Sequence, residues 1–345
     1  MPDFKPSLIL YTADALNDRG EAVLASYPEA EMLQVAQHNR LPELGMNHFK
    51  VKSDVLVLGK LKTKEIKWSG RSSDYIAPSL ANGCFGGCAY CYVDRHKKVN
   101  PITLFTNVEE ITAAVDSHVQ ALAWPKPANQ TDDTFWTYDI GCNSDISVDY
   151  SLSDGIRQVF EFYRDHSRAK ATFATKFVNP DLLSFDPQRK VRIRFSLMPS
   201  HVSKLVDVRT DSIEKRIAAI NDFYDAGYDV HVNFSPVIVY GGKAWRDDYR
   251  ELFRQLDAQL RPEVKAQLRC EVIFLTHNQG QHQANLAINP KAEELLWVPS
   301  LQESKVSQFG GWNIRYDHQL KGKMVEIFSR LLAEEIPWCT IRYIF

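Results

Sequence analysis

The 345-residue chain lacks any run approaching the about 18 consecutive apolar residues that a membrane-spanning helix needs. It has almost no net charge: 41 Lys and Arg against 43 Asp and Glu leave −2, so the global electrostatics advertise neither nucleic acid nor an acidic membrane surface. Met1-Pro2-Asp3-Phe4-Lys5 has no basic segment leading into an apolar core and a small-residue cleavage site. A cytoplasmic location with no membrane association is therefore the expectation. No Gly-x-Gly-x-x-Gly follows a strand-like run and no Walker A sequence occurs, which disfavours a dinucleotide fold and a P-loop. Repeats, low-complexity tracts and an obvious linker are missing too. With 44% apolar and 24% charged residues, the composition is that of a globular protein with a sizeable core, not of a disordered or disulfide-scaffold chain.

Cysteine is scarce, yet half of it is concentrated. Of the six cysteines, Cys84, Cys88 and Cys91 fall within eight residues, in Gly83-Cys84-Phe85-Gly86-Gly87-Cys88-Ala89-Tyr90-Cys91-Tyr92. In a reducing compartment a tight trio points to a metal or cluster site rather than to disulfides. Three thiolates on one compact loop suit three irons of a 4Fe–4S cluster, and the fourth iron then has no protein ligand and is open to a small molecule. His96 lies close enough to offer a competing Cys3His zinc set, and chance clustering of buried cysteines is the other plain alternative.

Beyond this loop, short runs rich in β-branched and aromatic residues alternate with helical patterns. Thr134–Ile140, Ala171–Thr175, Val191–Leu197, Asp229–Ser235 and Cys270–Leu275 read as strands, and ahead of the loop Asp54–Leu58 is an apolar run. Ser212–Ala226 reads as a helix, with Ile213, Ile217, Ile220 and Tyr224 on one face, Asp211 and Glu214 at its start and Gly227 at its end. A second helix opens at Thr106–Glu109 and runs through Val115. The first ~50 residues mix helical and turn signals, and Lys60–Arg71 reads as a basic loop. Strands alternating with helices predict a parallel sheet with crossovers, and a partial (β/α) barrel is the economical α/β choice. In such folds chemistry gathers at the C-terminal ends of strands. Those ends carry Cys142-Asn143-Ser144-Asp145, Lys176, Arg194-Phe195-Ser196 and Ser235-Pro236. Each has a plain explanation alone: a buried thiol, a surface cation, a helix cap. Their joint placement favours one shared cavity.

These segments resemble the radical S-adenosylmethionine superfamily and, within it, the spore photoproduct lyase family of DNA repair enzymes. The likeness is carried by Ser73-Asp74-Tyr75-Ile76-Ala77-Pro78, Gly83-Cys84, Cys88-Ala89-Tyr90-Cys91-Tyr92, Thr106-Asn107-Val108-Glu109-Glu110-Ile111, Cys142-Asn143-Ser144-Asp145, Thr175-Lys176, Arg194-Phe195-Ser196 and the Arg216…Ala226-Gly227-Tyr228 helix end. It runs in order from roughly residue 50 to 260 and fades beyond. Phe85-Gly86-Gly87 stands where relatives often have Met-Gly-His. Leu197-Met198 follows Ser196 where an asparagine is frequent, and Ser235 replaces a usual alanine.

The resemblance implies a partial TIM-type barrel over 73–275, an N-terminal cap over 1–72 and a substrate-contacting C-terminal extension with a β-hairpin over 276–345. It implies a 4Fe–4S cluster on Cys84, Cys88 and Cys91, and S-adenosylmethionine contacts at Ser144, Lys176, Ser196 and Ser235. Cys142 aligns with the hydrogen donor, and Tyr90 and Tyr92 with the tyrosines that reset it; their plain reading is aromatic packing. The implied reaction reverses 5-thyminyl-5,6-dihydrothymine in ultraviolet-damaged DNA to two thymines through a 5′-deoxyadenosyl radical. Gly310-Gly311-Trp312-Asn313-Ile314-Arg315-Tyr316 looks like the hairpin that enters the duplex, which makes Arg315 and Tyr316 candidate lesion contacts. The same reading includes an external electron donor such as flavodoxin or ferredoxin, and a monomeric chain. Basic groups at Lys60, Lys62, Lys64, Lys67 and Arg71, at Arg95-His96-Lys97-Lys98, and at Lys321 and Lys323 could line a groove or be ordinary solvated surface. Two rivals remain: a related radical enzyme acting on another nucleobase, RNA or peptide, and a non-catalytic zinc-stabilised nucleic-acid-binding module.

Overall fold

The structure, a computed structural model, describes residues 4–91, 93, 100–306 and 312–345. Tyr92, the Arg95-His96-Lys97-Lys98 run and Gly310-Gly311 therefore lie outside the described residues.

Apolar runs make the strands. Leu8–Tyr11 lies between Glu31–Gln34 and Val55–Gly59, and Val55–Gly59 continues onto Ile102–Phe105, all in parallel. Ala81–Asn82 closes this five-stranded sheet antiparallel to Ile102–Phe105. The N-terminal segment, expected as a cap of helical and turn signals, thus also supplies parallel strands to this sheet. Leu8–Tyr11 is only four residues long, too short for periodicity to register.

A second sheet holds eight strands in the spatial order Thr340–Ile344, Arg269–Phe274, Asp229–Val237, Val191–Leu197, Ala169–Thr175, Trp136–Asp139, Tyr75–Ile76, Lys67–Trp68. Arg269–Phe274 pairs in parallel with both Asp229–Val237 and Thr340–Ile344, and Trp136–Asp139 in parallel with both Ala169–Thr175 and Tyr75–Ile76. Helices Gly155–Asp165, Ile213–Asp225, Ala244–Gln259 and His318–Glu335 alternate with these strands along the chain. This is the open α/β partial barrel that the sequence predicts.

The helix expected over 212–226 spans Ile213–Asp225. Its cap is Ser212, whose Oγ accepts the Lys215 N–H at 3.3 Å, while Asp211 instead pairs with the Lys215 ammonium. Gly227 ends it with φ +91°, and a Cβ there would lie 2.0 Å from the Asp186 carboxylate, so only glycine fits. The C-terminal hairpin is present. Gln302–Val306 and Trp312–Tyr316 are antiparallel, and Thr276–Asn278 adds a third strand.

The chain forms two compact units that interleave in sequence. One comprises residues 1–85, 97–193 and 226–229; the other comprises 86–96, 194–225 and 230–345. The first is packed around Phe160, Phe173, Phe185 and Tyr228, the second around Phe234, Tyr249, Phe253 and Phe328. Each such ring, fully buried, contributes about 1.5–3 kcal/mol of apolar transfer.

Candidate active site

In the first unit, the entry to the cysteine loop is pinned to the turn that carries Cys142. Gly83 has φ +87°, and a Cβ at this position would meet the Pro101 carbonyl oxygen at 2.4 Å. Without that obstacle, the Gly83 N–H donates to the Asn143 carbonyl at 2.9 Å. Asn143 in turn donates through Nδ2 to Ser79 Oγ at 2.6 Å. Cys84 and Cys142 are thereby set on two backbone segments that hydrogen-bond to each other.

Asp145 organises the next two positions. It is buried, and one carboxylate oxygen accepts the Ser147 N–H at 3.1 Å and the Thr175 hydroxyl at 2.7 Å. Its other oxygen accepts the Lys176 N–H at 3.1 Å. The ends of Trp136–Asp139 and Ala169–Thr175 are locked together by this one side chain, so Ser144 and Lys176 arrive as a pair. Burial raises the Asp145 carboxyl above its ordinary value, although Thr175 and Lys176 oppose that shift. Asp149, one turn on, is completely buried, and neither of its carboxyl oxygens has a hydrogen-bond partner among the described residues. Burial pushes its carboxyl well up, with the nearby Ser144 hydroxyl working the other way. The expectation that Ser144 or Asp145 caps the following short helix holds for Asp145.

In the second unit, Cys88 sits in the short strand Gly87–Cys88, antiparallel to Asp207–Val208, with Asp207 directly opposite it. The Cys91 N–H donates to the Cys88 carbonyl at 3.0 Å, a tight turn that presents both thiols from one segment. Between them, the Tyr90 hydroxyl donates to the Asp207 carboxylate. Burial, then the charges of Asp207 and Cys88, push the Tyr90 phenol well above its usual value, so it stays protonated.

Asp207 is itself held by Arg216, Nη1 to Oδ2 at 3.3 Å, with both side chains fully buried. Arg216 also donates to the Ser196 carbonyl at 2.8 Å, the Asp211 carbonyl at 2.9 Å and Thr210 Oγ1 at 2.6 Å. The structure therefore brings Cys88, Tyr90, Cys91 and Ser196 into one connected network through Asp207 and Arg216. The sequence reading gave these two no role. A signal existed, since Arg216 falls on the same helix face as Ile213 and Ile220, where an arginine has no place without a buried anion.

Other expected residues have different surroundings. Ser235, half-buried, lies within Asp229–Val237. Arg194 is committed to a buried cluster with Glu271 and Arg342. Tyr316 is buried and accepts the Val239 N–H at 2.8 Å, while Arg315 is held by Glu303 at 2.7 Å. The side chain that this strand exposes is Trp312, 56% accessible. Among the basic groups, Lys60 and Lys64 share Glu110 and Lys67 pairs with Glu65, which cancels part of their field. Cys270 and Cys339 are buried, and no cysteine forms a disulfide.

The donor set fits an iron–sulfur cluster: three half-buried cysteines, soft ligands, none consumed in a disulfide. An open, mostly parallel sheet with such a cysteine loop, and with a thiol and a lysine at neighbouring strand ends, is the arrangement that the resemblance to radical S-adenosylmethionine enzymes implies. Comparison with known proteins narrows this. The family described as "Spore photoproduct lyase" matches residues 4–345. Spore photoproduct lyase of Bacillus subtilis is 31% identical over 249 residues, covering 70% of this chain and 69% of its own. That of a Geobacillus species is 26% identical over 282 residues, 79% of each. A solved spore photoproduct lyase complexed with dinucleoside spore photoproduct superposes with TM-score 0.88 at 23% identity, covering 99% of both chains. A variant with bound AdoMet and the same dinucleoside gives 0.88 at 22%. The chain belongs to the spore photoproduct lyase family of radical S-adenosylmethionine enzymes.

Proposed function

We propose that this enzyme reverses the spore photoproduct in DNA, converting 5-thyminyl-5,6-dihydrothymine to two thymines. Cys84, Cys88 and Cys91 would hold a 4Fe–4S cluster, and Ser144, Lys176, Ser196 and Ser235 would line the S-adenosylmethionine site. When bound, this pair supplies the hydrogen-abstracting 5′-deoxyadenosyl radical. Lysine and serine side chains suit a ligand that carries a carboxylate and ribose hydroxyls. An external one-electron donor of the flavodoxin or ferredoxin kind would serve the cluster.

Cys142 is the hydrogen donor in this proposal. Once the methylene bridge has broken, the S–H bond of Cys142 breaks and a C–H bond forms on the thymine-based radical, leaving a thiyl. A phenol O–H then returns a hydrogen atom to sulfur, and Tyr90, with Tyr92, is placed in that role. Tyr90 is kept neutral by burial and by Asp207, so it has a hydrogen atom to give. The segment 276–345 would contact the lesion strand. Its hairpin offers exposed Trp312, whereas Tyr316 fastens the hairpin base.

The observation that carries the proposal is the hydrogen bond from Gly83 to Asn143 within a full-length family match, because it couples the cysteine loop to the Cys142 turn. The test is anaerobic repair of a lesion-bearing dinucleotide by reduced enzyme that is brown and contains iron. Wild type releases thymidine; Cys142→Ala diverts most of the substrate to abortive products. Clean repair by Cys142→Ala would remove the donor role, and a colourless protein carrying one zinc on these cysteines would remove the reading altogether.

A further inference from the structure

A second cluster of ligand-type side chains lies in the C-terminal part of the second unit. His277 on Thr276–Asn278, His282 on the helix Gln279–Ile288 and Glu293 on the helix Pro290–Leu296 converge, with one ligand atom of each within 4.8 Å of the others. His277 Nε2 is 3.0 and 3.2 Å from the two Glu293 oxygens, and His282 Nδ1 is 2.5 Å from Oε2. His277 and Glu293 are almost completely buried, while His282 keeps an exposed edge through which an ion could enter.

We infer that His277, His282 and Glu293 form a binding site for a divalent cation of the zinc class, separate from the cysteine loop. Three observations carry this. First, the donor set is two imidazoles and one carboxylate, a combination that suits zinc and disfavours magnesium or calcium, which prefer oxygen. Second, the spacings are near those of a bound ion. Metal bonds of about 2.0–2.2 Å at tetrahedral angles put ligand atoms roughly 3.3 Å apart, so the His277 contacts already match and His282 needs to retreat by less than about 1 Å. Third, the ligands are preorganised. The His282 ring stacks on Trp297 at 4.1 Å and 14°, and the three ligands come from three successive elements whose caps and strand pairing hold them.

The carboxylate is also oriented by a hydrogen bond from Asn285. With three protein ligands, a fourth position is left for water. Asn285 connects this site to the cysteine loop, because its Nδ2 donates both to Glu293 and, at 2.6 Å, to the Ala89 carbonyl. A cation that draws Glu293 toward itself leaves the Asn285 amide to Ala89, which steadies the Ala89–Cys91 turn.

The experiment uses cluster-loaded, full-length enzyme, titrated anaerobically with Zn2+ against a chromophoric chelator and followed by thermal unfolding. Wild type binds one Zn2+ in addition to its iron and unfolds at a higher temperature with Zn2+; Mg2+ produces no shift. His282→Ala, at the accessible edge, weakens Zn2+ binding about 100-fold and abolishes the thermal shift without lowering the iron content. Glu293→Gln, which preserves shape, does the same. No zinc uptake by wild type, or unaltered affinity in His282→Ala, overturns the assignment. The readout is zinc and not repair, so either result leaves the proposed reaction where it stands.

Discussion

At the scale of single residues, Tyr90 shows how a reactive side chain is prepared by its neighbours. A phenol that relays hydrogen atoms must be neutral and fixed. Burial supplies the first, and the hydrogen bond to Asp207 supplies the second. Arg216 pairs with Asp207 in a site where an isolated carboxylate would be costly. Tyr90→Phe deletes the hydroxyl and leaves the Asp207–Arg216 pair intact. The expected outcome is modest destabilisation, about 1 kcal/mol for one hydrogen bond to a charged group less the relief of its burial. First-turnover repair is retained, while S-adenosylmethionine consumption per repaired lesion rises severalfold; the measurement is 5′-deoxyadenosine formed against thymidine released. An unchanged ratio would return Tyr90 to a packing role.

At the scale of elements, what joins neighbouring strands in the first unit is charge as well as hydrogen-bonded backbone. Lys170 on Ala169–Thr175 and Arg192 on Val191–Leu197 both contact Asp132 and Asp229, at 2.6–3.2 Å, near the N-terminal ends of those strands. Burial by itself would raise Asp132, but the charges of Lys170 and Arg192 and the N–H groups of Phe135 and Thr134 hold its carboxyl at about 2. The folded value lies below the unfolded one of about 3.9, so this stabilisation is complete above about pH 4 and fades as pH falls toward 2. Asp132→Asn should cost about 2 kcal/mol at neutral pH, and its deficit in urea unfolding relative to wild type should shrink steadily below about pH 4. A deficit that does not change with pH would exclude the electrostatic account.

Elements also show what a sequence can and cannot reveal. Val191–Leu197 was legible to the residue because all seven positions are buried, and the Ile-spaced helix that follows in 213–225 was legible to within one residue at each end. Glu31–Gln34 was invisible: all four of its positions are exposed, so no apolar pattern marks it. Strands of two residues, such as Gly87–Cys88 and Asp207–Val208, are set by tertiary pairing alone. In the candidate site, the cysteines and strand-end residues were readable from type and spacing. Asp207 was not, because an aspartate becomes informative only when something cross-chain, here Tyr90, lies against it. His277, His282 and Glu293 match no short motif, since four and then ten residues separate them and three elements must fold before they meet.

At the scale of the whole molecule, the interleaving of the two compact units has a consequence for biosynthesis. The first unit is made of three stretches, and the last, Ala226–Asp229, delivers the carboxylate that Lys170 and Arg192 require and the Tyr228 ring that packs on Phe160. During translation this half cannot reach its final form until residue 229 has cleared the ribosome, by which time only the stretches 86–96 and 194–225 of the other unit have emerged. A truncated polypeptide ending at residue 225 should therefore show no cooperative melting transition by circular dichroism, whereas the full chain does. Growing the protein from its N-terminus is then a matter of holding an unfinished half-structure open, and nascent chains of this enzyme should be clients of ribosome-associated chaperones.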